Sequence, residues 1–242
     1  MSVRPGRHAR RAVILAALCP AIFVLTAEAQ VRTAPPKPTG PTPAAGSWEI
    51  GGGGAFVGGF DIGEAAAELT RNPTTPGSGP FTLFVTDASV GSALALQGRL
   101  AYYFTPQFAI EGGVRFGQPV LTIELSEDAE GAPDVTAEET LDQYVFSGSA
   151  LWHFGRPTPR TRAVPFIFGG AGYLRELHEG QELVETGMEY HGGAGVKYWF
   201  GNARRRFGLR GDAGVSFRDG GVDPDESFRL VPMASGSLIY LF

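Results

Sequence analysis

The chain has 242 residues, enough for one domain with a tail, and 35 of them are glycine while 43% are hydrophobic. No Gly-X-Y period accompanies that glycine, so collagen-like and disordered classes are excluded. Charged residues make up only 19%, the formal charge is −5, and no helix-length stretch is basic, which excludes nucleic acid as the expected partner.

Residues 1–29 read as a secretory signal peptide. Arg4, Arg7, Arg10 and Arg11 precede an almost wholly apolar run over 12–27, and Ala27 and Ala29 flank Glu28 at the cleavage position. The one cysteine, Cys19, sits inside that run behind the bulky Leu18, so lipidation is the lesser alternative. Cleavage after Ala29 leaves a chain without cysteine, which must fold without disulfides, and without a further apolar run of about 18 residues for a membrane helix. Residues 30–46 carry five prolines and little to bury; this is a proline-rich periplasmic linker.

From Ser47 to the end the hydrophobic period is two. The expected strands are 47–60, 93–104, 108–117, 143–154, 165–174, 189–200, 207–217 and 228–242. One parity of each is uncharged: Trp48, Ile50, Phe56 and Phe60 in the first; Leu94, Leu96, Leu100, Tyr102 and Phe104 in the second; Phe166, Phe168 and Leu174 in the fifth; Leu238, Tyr240 and Phe242 in the last. The other parity carries Glu49, Arg99, Glu111, Arg115, Lys197, Arg210, Asp212 and Arg229, with Gln97, Gln143, His153 and His191.

A soluble barrel turns its apolar face inward and a membrane barrel turns it outward. Here the aromatic residues of the apolar parity collect at strand ends: Trp48, Phe104, Phe108, Trp152, Phe200 and Phe207 at one, Phe60, Phe116, Tyr144, Tyr190, Phe217 and Phe228 at the other. Two aromatic girdles around an aliphatic band match a lipid-facing surface. The links also alternate. The short ones, 105–107, 155–164 and 201–206, contain Arg156, Arg160, Arg162, Arg204, Arg205 and Arg206; the longer ones, 61–92, 118–142, 175–188 and 218–227, are acidic. Short periplasmic turns and long external loops follow from this alternation, and the expected fold is an all-β, eight-stranded antiparallel up-and-down transmembrane β-barrel over 47–242.

The segments LAYYFTPQFAIEGGVRF (100–116), PFIFGGAGY (165–173), GGAGVKYWF (192–200), GLRGDAGVSF (208–217) and the terminal SGSLIYLF (235–242) together resemble the bacterial outer-membrane β-barrel family of eight-stranded, OmpA/OmpX-like proteins. The resemblance implies a Gram-negative outer-membrane location, lipid and the barrel-insertion machinery as partners, a monomer, and Leu238, Tyr240 and Phe242 as the C-terminal insertion signal. Two-domain relatives add a peptidoglycan-binding domain; none follows residue 242, so cell-wall anchoring is not expected.

Within the strands, Glu49, Arg99, Glu111, Arg115, Lys197, Arg210, Asp212 and Arg229 form the expected polar network of the lumen, with Arg99 near Glu111 and Lys197 near Asp212 across their hairpins. His153, close to the inward Ser147 and Ser149, is the nearest thing to a hydrolytic pair, but the His-x-Ser-Asn string of an outer-membrane acyl hydrolase is missing and no enzyme is expected. The glycine run 51–54 lacks the lysine and helix start of a phosphate loop. The acidic stretches 124–139 and 223–226 lack EF-hand spacing, and neither cofactor nor metal is expected. The leading function is a structural or surface-interaction role with an extracellular ligand not identified by the sequence. The alternatives are a narrow channel for small or apolar solutes, suggested by inward glycines such as Gly193, Gly195 and Gly214, and a soluble secreted barrel that binds an apolar ligand.

Overall fold

The computed structural model describes residues 43–69, 81–156, 162–178, 183–200, 206–222 and 229–242. The expected signal peptide, most of the linker, Phe228, Arg160, Arg204 and Arg205 lie outside them. Among the described residues twelve strands run in chain order: β1 Trp48–Val57, β2 Phe60–Leu69, β3 Phe81–Val90, β4 Ala93–Tyr103, β5 Phe108–Gly117, β6 Val120–Ser126, β7 Val135–Thr140, β8 Asp142–His153, β9 Ala163–Leu177, β10 Val184–Trp199, β11 Phe207–Gly220 and β12 Arg229–Leu241.

Eight of these close a barrel in the order β1-β12-β11-β10-β9-β8-β5-β4, every pair antiparallel. Closure joins the two ends of the chain: Glu49 opposes Leu241, and Trp48 and Phe242 exchange backbone hydrogen bonds at 3.1 and 2.9 Å. Full closure leaves the barrel no open edge.

The remaining strands correct the expectation of long loops. β2, β3, β6 and β7 form a four-stranded antiparallel sheet in that order. They occupy 61–92 and 118–142, so the first two hairpins continue upward as a second sheet. Its inner face packs Ile62, Val90, Leu121 and Leu141 with Phe60, Ala88, Ile123 and Val222. Phe60, expected in a girdle, belongs to this packing because the chain breaks stride at Gly58 and Gly59 between β1 and β2.

Outside the barrel the belt is apolar: Leu94, Leu96 and Leu238 are 81, 71 and 66% exposed. Rings line the end that carries the short turns, with Trp48, Tyr102, Phe104 and Phe108 in consecutive contact at 4.9 to 5.9 Å, and Phe207, Tyr240 and Phe242 likewise at 4.8 and 6.1 Å. The soluble-barrel alternative requires the opposite facing and is set aside.

One strand faces the other way from the expectation. In β9 the side chains of Phe166 and Leu174 are buried and Phe168 packs beside them, while Ile167 and Tyr173 point out at 47 and 45% exposure. Both parities of VPFIFGGAGYL are apolar, so composition left the facing open. Space decides it: a Cβ on Gly195 would come 2.6 Å from Phe166 Cζ, and one on Gly193 would come 2.9 Å from Phe168 Cζ. Bare β10 backbone thus receives the two rings, which occupy the space above Gly193 and Gly195.

Candidate functional site

The barrel interior is built in layers. At the short-turn end it is packed with Tyr103, Ala109, Leu151, Val164, Phe166, Trp199, Ile239 and Leu241. Above that plug Lys197 is fully buried, its Nζ 2.7 and 3.0 Å from the two carboxylate oxygens of Glu49 and 2.8 Å from the Tyr103 hydroxyl. That hydroxyl donates in turn to Glu49 at 2.6 Å. Lys197 therefore belongs to Glu49 across the barrel, and its expected pairing with Asp212 is corrected. Hairpin register relates only strands adjacent along the wall, whereas a narrow lumen brings β10 and β1 within side-chain reach.

The middle layer centres on Asp212. Arg99 donates to its two oxygens at 2.8 and 3.3 Å, Arg210 Nε donates at 2.8 Å, and Ser235 Oγ at 2.8 Å. Arg99 also reaches Gln97 Oε1 at 2.8 Å and Ser235 Oγ at 2.9 Å. Arg210 Nη1 meets Glu111 at 2.6 Å, and its guanidinium lies 4.6 Å from the Phe166 ring centroid. Arg99 and Glu111 do approach, at 4.0 Å, but each has a closer partner.

The upper layer adds Glu176, Glu189 and Arg218 to the residues expected inside. Arg115 Nη2 lies 2.6 Å from Glu189, which also accepts from Arg218 at 3.3 Å. Arg218 reaches Gln143 Oε1 at 3.0 Å; Gln143 donates to Glu176 at 2.7 Å, and Glu176 accepts the Val222 amide at 3.0 Å. Glu176 and Arg218 fall in segments expected to be loops, and Glu189 at the first residue of an expected strand. The signal for them was strand length: inward parity continues through β9, β10 and β11 for one further turn of the ladder. Arg229 lies beside this layer on β12, and its Nη2 donates to the Ile62 carbonyl of β2. It opposes Arg218 at the start of β12.

The cations of these layers each have a carboxylate neighbour: Lys197 with Glu49, Arg210 with Glu111, Arg99 with Asp212, and Arg115 and Arg218 with Glu189. Such pairing offsets the several kcal/mol, on an order-of-magnitude scale, that an isolated buried ion costs. Between the middle and upper layers a cavity of about 40 Å³ remains, lined by Gln97, Arg115, Ser147, Ser149, Glu189 and His191 among others. It has room for a water or two and for no organic substrate.

The expected proximity of Ser149 to His153 is corrected. Ser149 Oγ lies 2.7 Å from Nε2 of His191, not from His153, and His153 Nδ1 meets the Gln107 carbonyl at 3.1 Å. Glu189 stands 3.9 Å from His191 Nδ1, too far for a hydrogen bond. Ser147, Ser149 and His191 line the small cavity, which an ester could not enter.

Beyond the barrel, the outer face of the second sheet is acidic. Glu64 opposes Asp87, and Asp87 opposes Glu124, in one row across β2, β3 and β6; Asp61 and Glu138 share the face. β2, β3, β6 and β7 contain no lysine or arginine.

No protein-family model matches the chain, and no curated protein does. Among solved structures the chain is similar to the outer membrane protein OprG from Pseudomonas aeruginosa, at 15% identity and a TM-score of 0.50, over 84% of this chain and 98% of that one. Lower scores relate it to the N-terminal β-barrel domain of Pseudomonas aeruginosa OprF (16% identity, 83% of this chain, 100% of that one, TM-score 0.41). Ail, the attachment invasion locus protein of Yersinia pestis, scores 0.42 at 12% identity over 82 and 99% of the two chains. The first likeness concerns the fold: an all-β, eight-stranded antiparallel barrel of the bacterial outer-membrane type.

Proposed function

We propose that this protein is an integral barrel of the Gram-negative outer membrane with a structural or surface-interaction role. Its lumen is closed by its own side chains, its extracellular sheet is acidic, and it catalyses no reaction. The observation that carries this reading is the inversion of the barrel: Lys197 and Arg210 are buried inside while Leu94, Leu96 and Leu238 stand exposed outside. Water on the outside and lipid nowhere would make that arrangement strongly unfavourable, because the exposed apolar belt far exceeds a scattered surface residue or two. Removal of residues 1–29 on export, the spacer role of 30–46, recognition of Leu238, Tyr240 and Phe242 by the insertion machinery, and a monomeric state belong to the same proposal.

The test is fractionation of cells that express the full chain. The mature protein is expected to begin at Gln30, to remain in the outer membrane after high-salt and carbonate washes, and to present the β2–β3 hairpin to protease added outside intact cells. Recovery as soluble periplasmic protein would overturn the proposal.

A further inference from the structure

His178 follows the last residue of β9, beyond the outward ring of Tyr173, and the two nitrogens of its imidazole face carboxylates from two different elements. Nδ1 lies 2.9 Å from Glu139 Oε2 on β7, and Nε2 lies 3.7 Å from Glu185 Oε1 on β10. The ring is largely covered, and both Nε2 and the second oxygen of Glu185 are buried without a hydrogen-bond partner among the described residues. Two further carboxylates stand nearby. Glu176 of β9 acts on Glu185 and is held by Gln143 and the Val222 amide; Asp142 of β8 opposes Leu177 and accepts from Gln118 at 2.8 Å.

The place matters mechanically. Asp142 opposite Leu177 is the last pair between β8 and β9 on this side of the barrel. Immediately above it, β7 leaves the wall with the second sheet and pairs, among the described residues, with β6. The Glu139–His178 contact therefore spans the split between the extracellular sheet and the β9–β10 hairpin.

A neutral imidazole has one N–H to donate. Given to Glu139, it leaves the Nε2 lone pair turned toward a carboxylate, an unfavourable arrangement. Both sides become attractive when one more proton is present, either on the ring or on Glu185, whose carboxyl burial pushes above its ordinary value while His178 pulls it the other way. The sign is the same for either location: the contact needs the proton, so it holds on the acid side and weakens as pH rises.

We propose that His178 is a one-proton latch that fastens the β7 corner of the extracellular sheet to the β9–β10 hairpin, closed when the proton is bound and slack when it leaves. Loss of the latch frees that corner to move away from the hairpin while the barrel below stays intact. This goes beyond the surface role proposed above.

The experiment uses the full chain, folded in phospholipid nanodiscs, with Cys19→Ser and with nitroxides attached at Thr136→Cys on β7 and Val184→Cys on β10. Pulsed electron paramagnetic resonance distances are compared at about pH 5.5 and about pH 8.5, on either side of the range in which histidine side chains change charge. The expected result is a narrow distribution at the lower pH that broadens toward longer distances at the higher. Glu185→Gln, whose amide N–H meets Nε2 without a titrating proton, is expected to stay narrow at both; His178→Ala is expected to be broad at both. Identical wild-type distributions at the two pH values, or a Glu185→Gln variant that broadens as the wild type does, would overturn the latch. The measurement needs only the folded barrel, so its outcome is independent of where in the cell the barrel resides.

Discussion

Ala213 and Gly214 are adjacent and face opposite worlds. Ala213 is exposed on the outside of β11, so Ala213→Arg sets a charge against lipid and is expected to cost about 2 to 4 kcal/mol if it lies near the midplane. Gly214 faces in, where an added Cβ would collide with the Gly192 carbonyl of β10, so Gly214→Arg fails by crowding. Urea unfolding in lipid vesicles separates them: thicker bilayers alter the first penalty and leave the second. Lys197 provides the second prediction at this scale. Lys197→Met strands Glu49, 2% exposed, in a packed layer, and loss of one partner of a buried pair costs about 3 to 5 kcal/mol. Adding Glu49→Gln removes the stranded charge and is expected to restore part of that stability, which a double-mutant cycle reads directly. An additive cycle would show that the two side chains do not act as a pair.

A strand is recognised in sequence by contrast between its faces, and the elements read wrongly here are those that lack or invert that contrast. β9 is apolar on both faces, so only the space above Gly193 and Gly195 could turn Phe166 and Phe168 inward. β2, β3, β6 and β7 carry small, polar and acidic residues on one face, as a sheet with one wet face does, so they lack the uncharged outward face that marks the barrel strands. Their like-charged row of Glu64, Asp87 and Glu124 disfavours pairing of one such sheet with another copy. The last strand makes the element-scale prediction. β12 closes the barrel on β1, and Phe242 both exchanges hydrogen bonds with Trp48 and stacks near Tyr240. Deleting Phe242 is expected to lower the amount of assembled barrel, seen as heat-modifiable mobility on a gel, with synthesis unchanged. Full assembly without it would remove its proposed role in insertion.

Seen whole, the molecule is an apolar shell around a stack of ion pairs that is sealed below by Tyr103, Trp199 and Leu241 and interrupted by a cavity of about 40 Å³. An eight-stranded barrel is about as wide as its own side chains require. Planar bilayers containing the wild-type protein are therefore expected to show no steady conductance. Arg99→Ala with Asp212→Ala removes the hub of the middle layer, and water entering there is expected to give brief openings and a lower unfolding midpoint. A large, stable wild-type current, indifferent to that double substitution, would favour the narrow-channel alternative.

The fold class was legible in the chain alone because lipid outside and polar groups inside impose a period of two with rings at the strand ends, a pattern that survives without any knowledge of contacts. Glu49, Arg99, Glu111, Arg115, Lys197, Arg210 and Asp212 announced themselves as interior for the same reason: a charge on an otherwise apolar strand has nowhere else to go. Which of them meet was beyond the sequence. Hairpin register predicts neighbours along the wall, but Lys197 with Glu49 and Arg210 with Glu111 meet across the lumen, at a distance set by strand number, tilt and closure. The facing of β9, the second sheet and the placement of His178 between Glu139 and Glu185 likewise depend on volumes and on where strands part company. Those are properties of the assembled molecule, because they arise from contacts between residues dozens of positions apart.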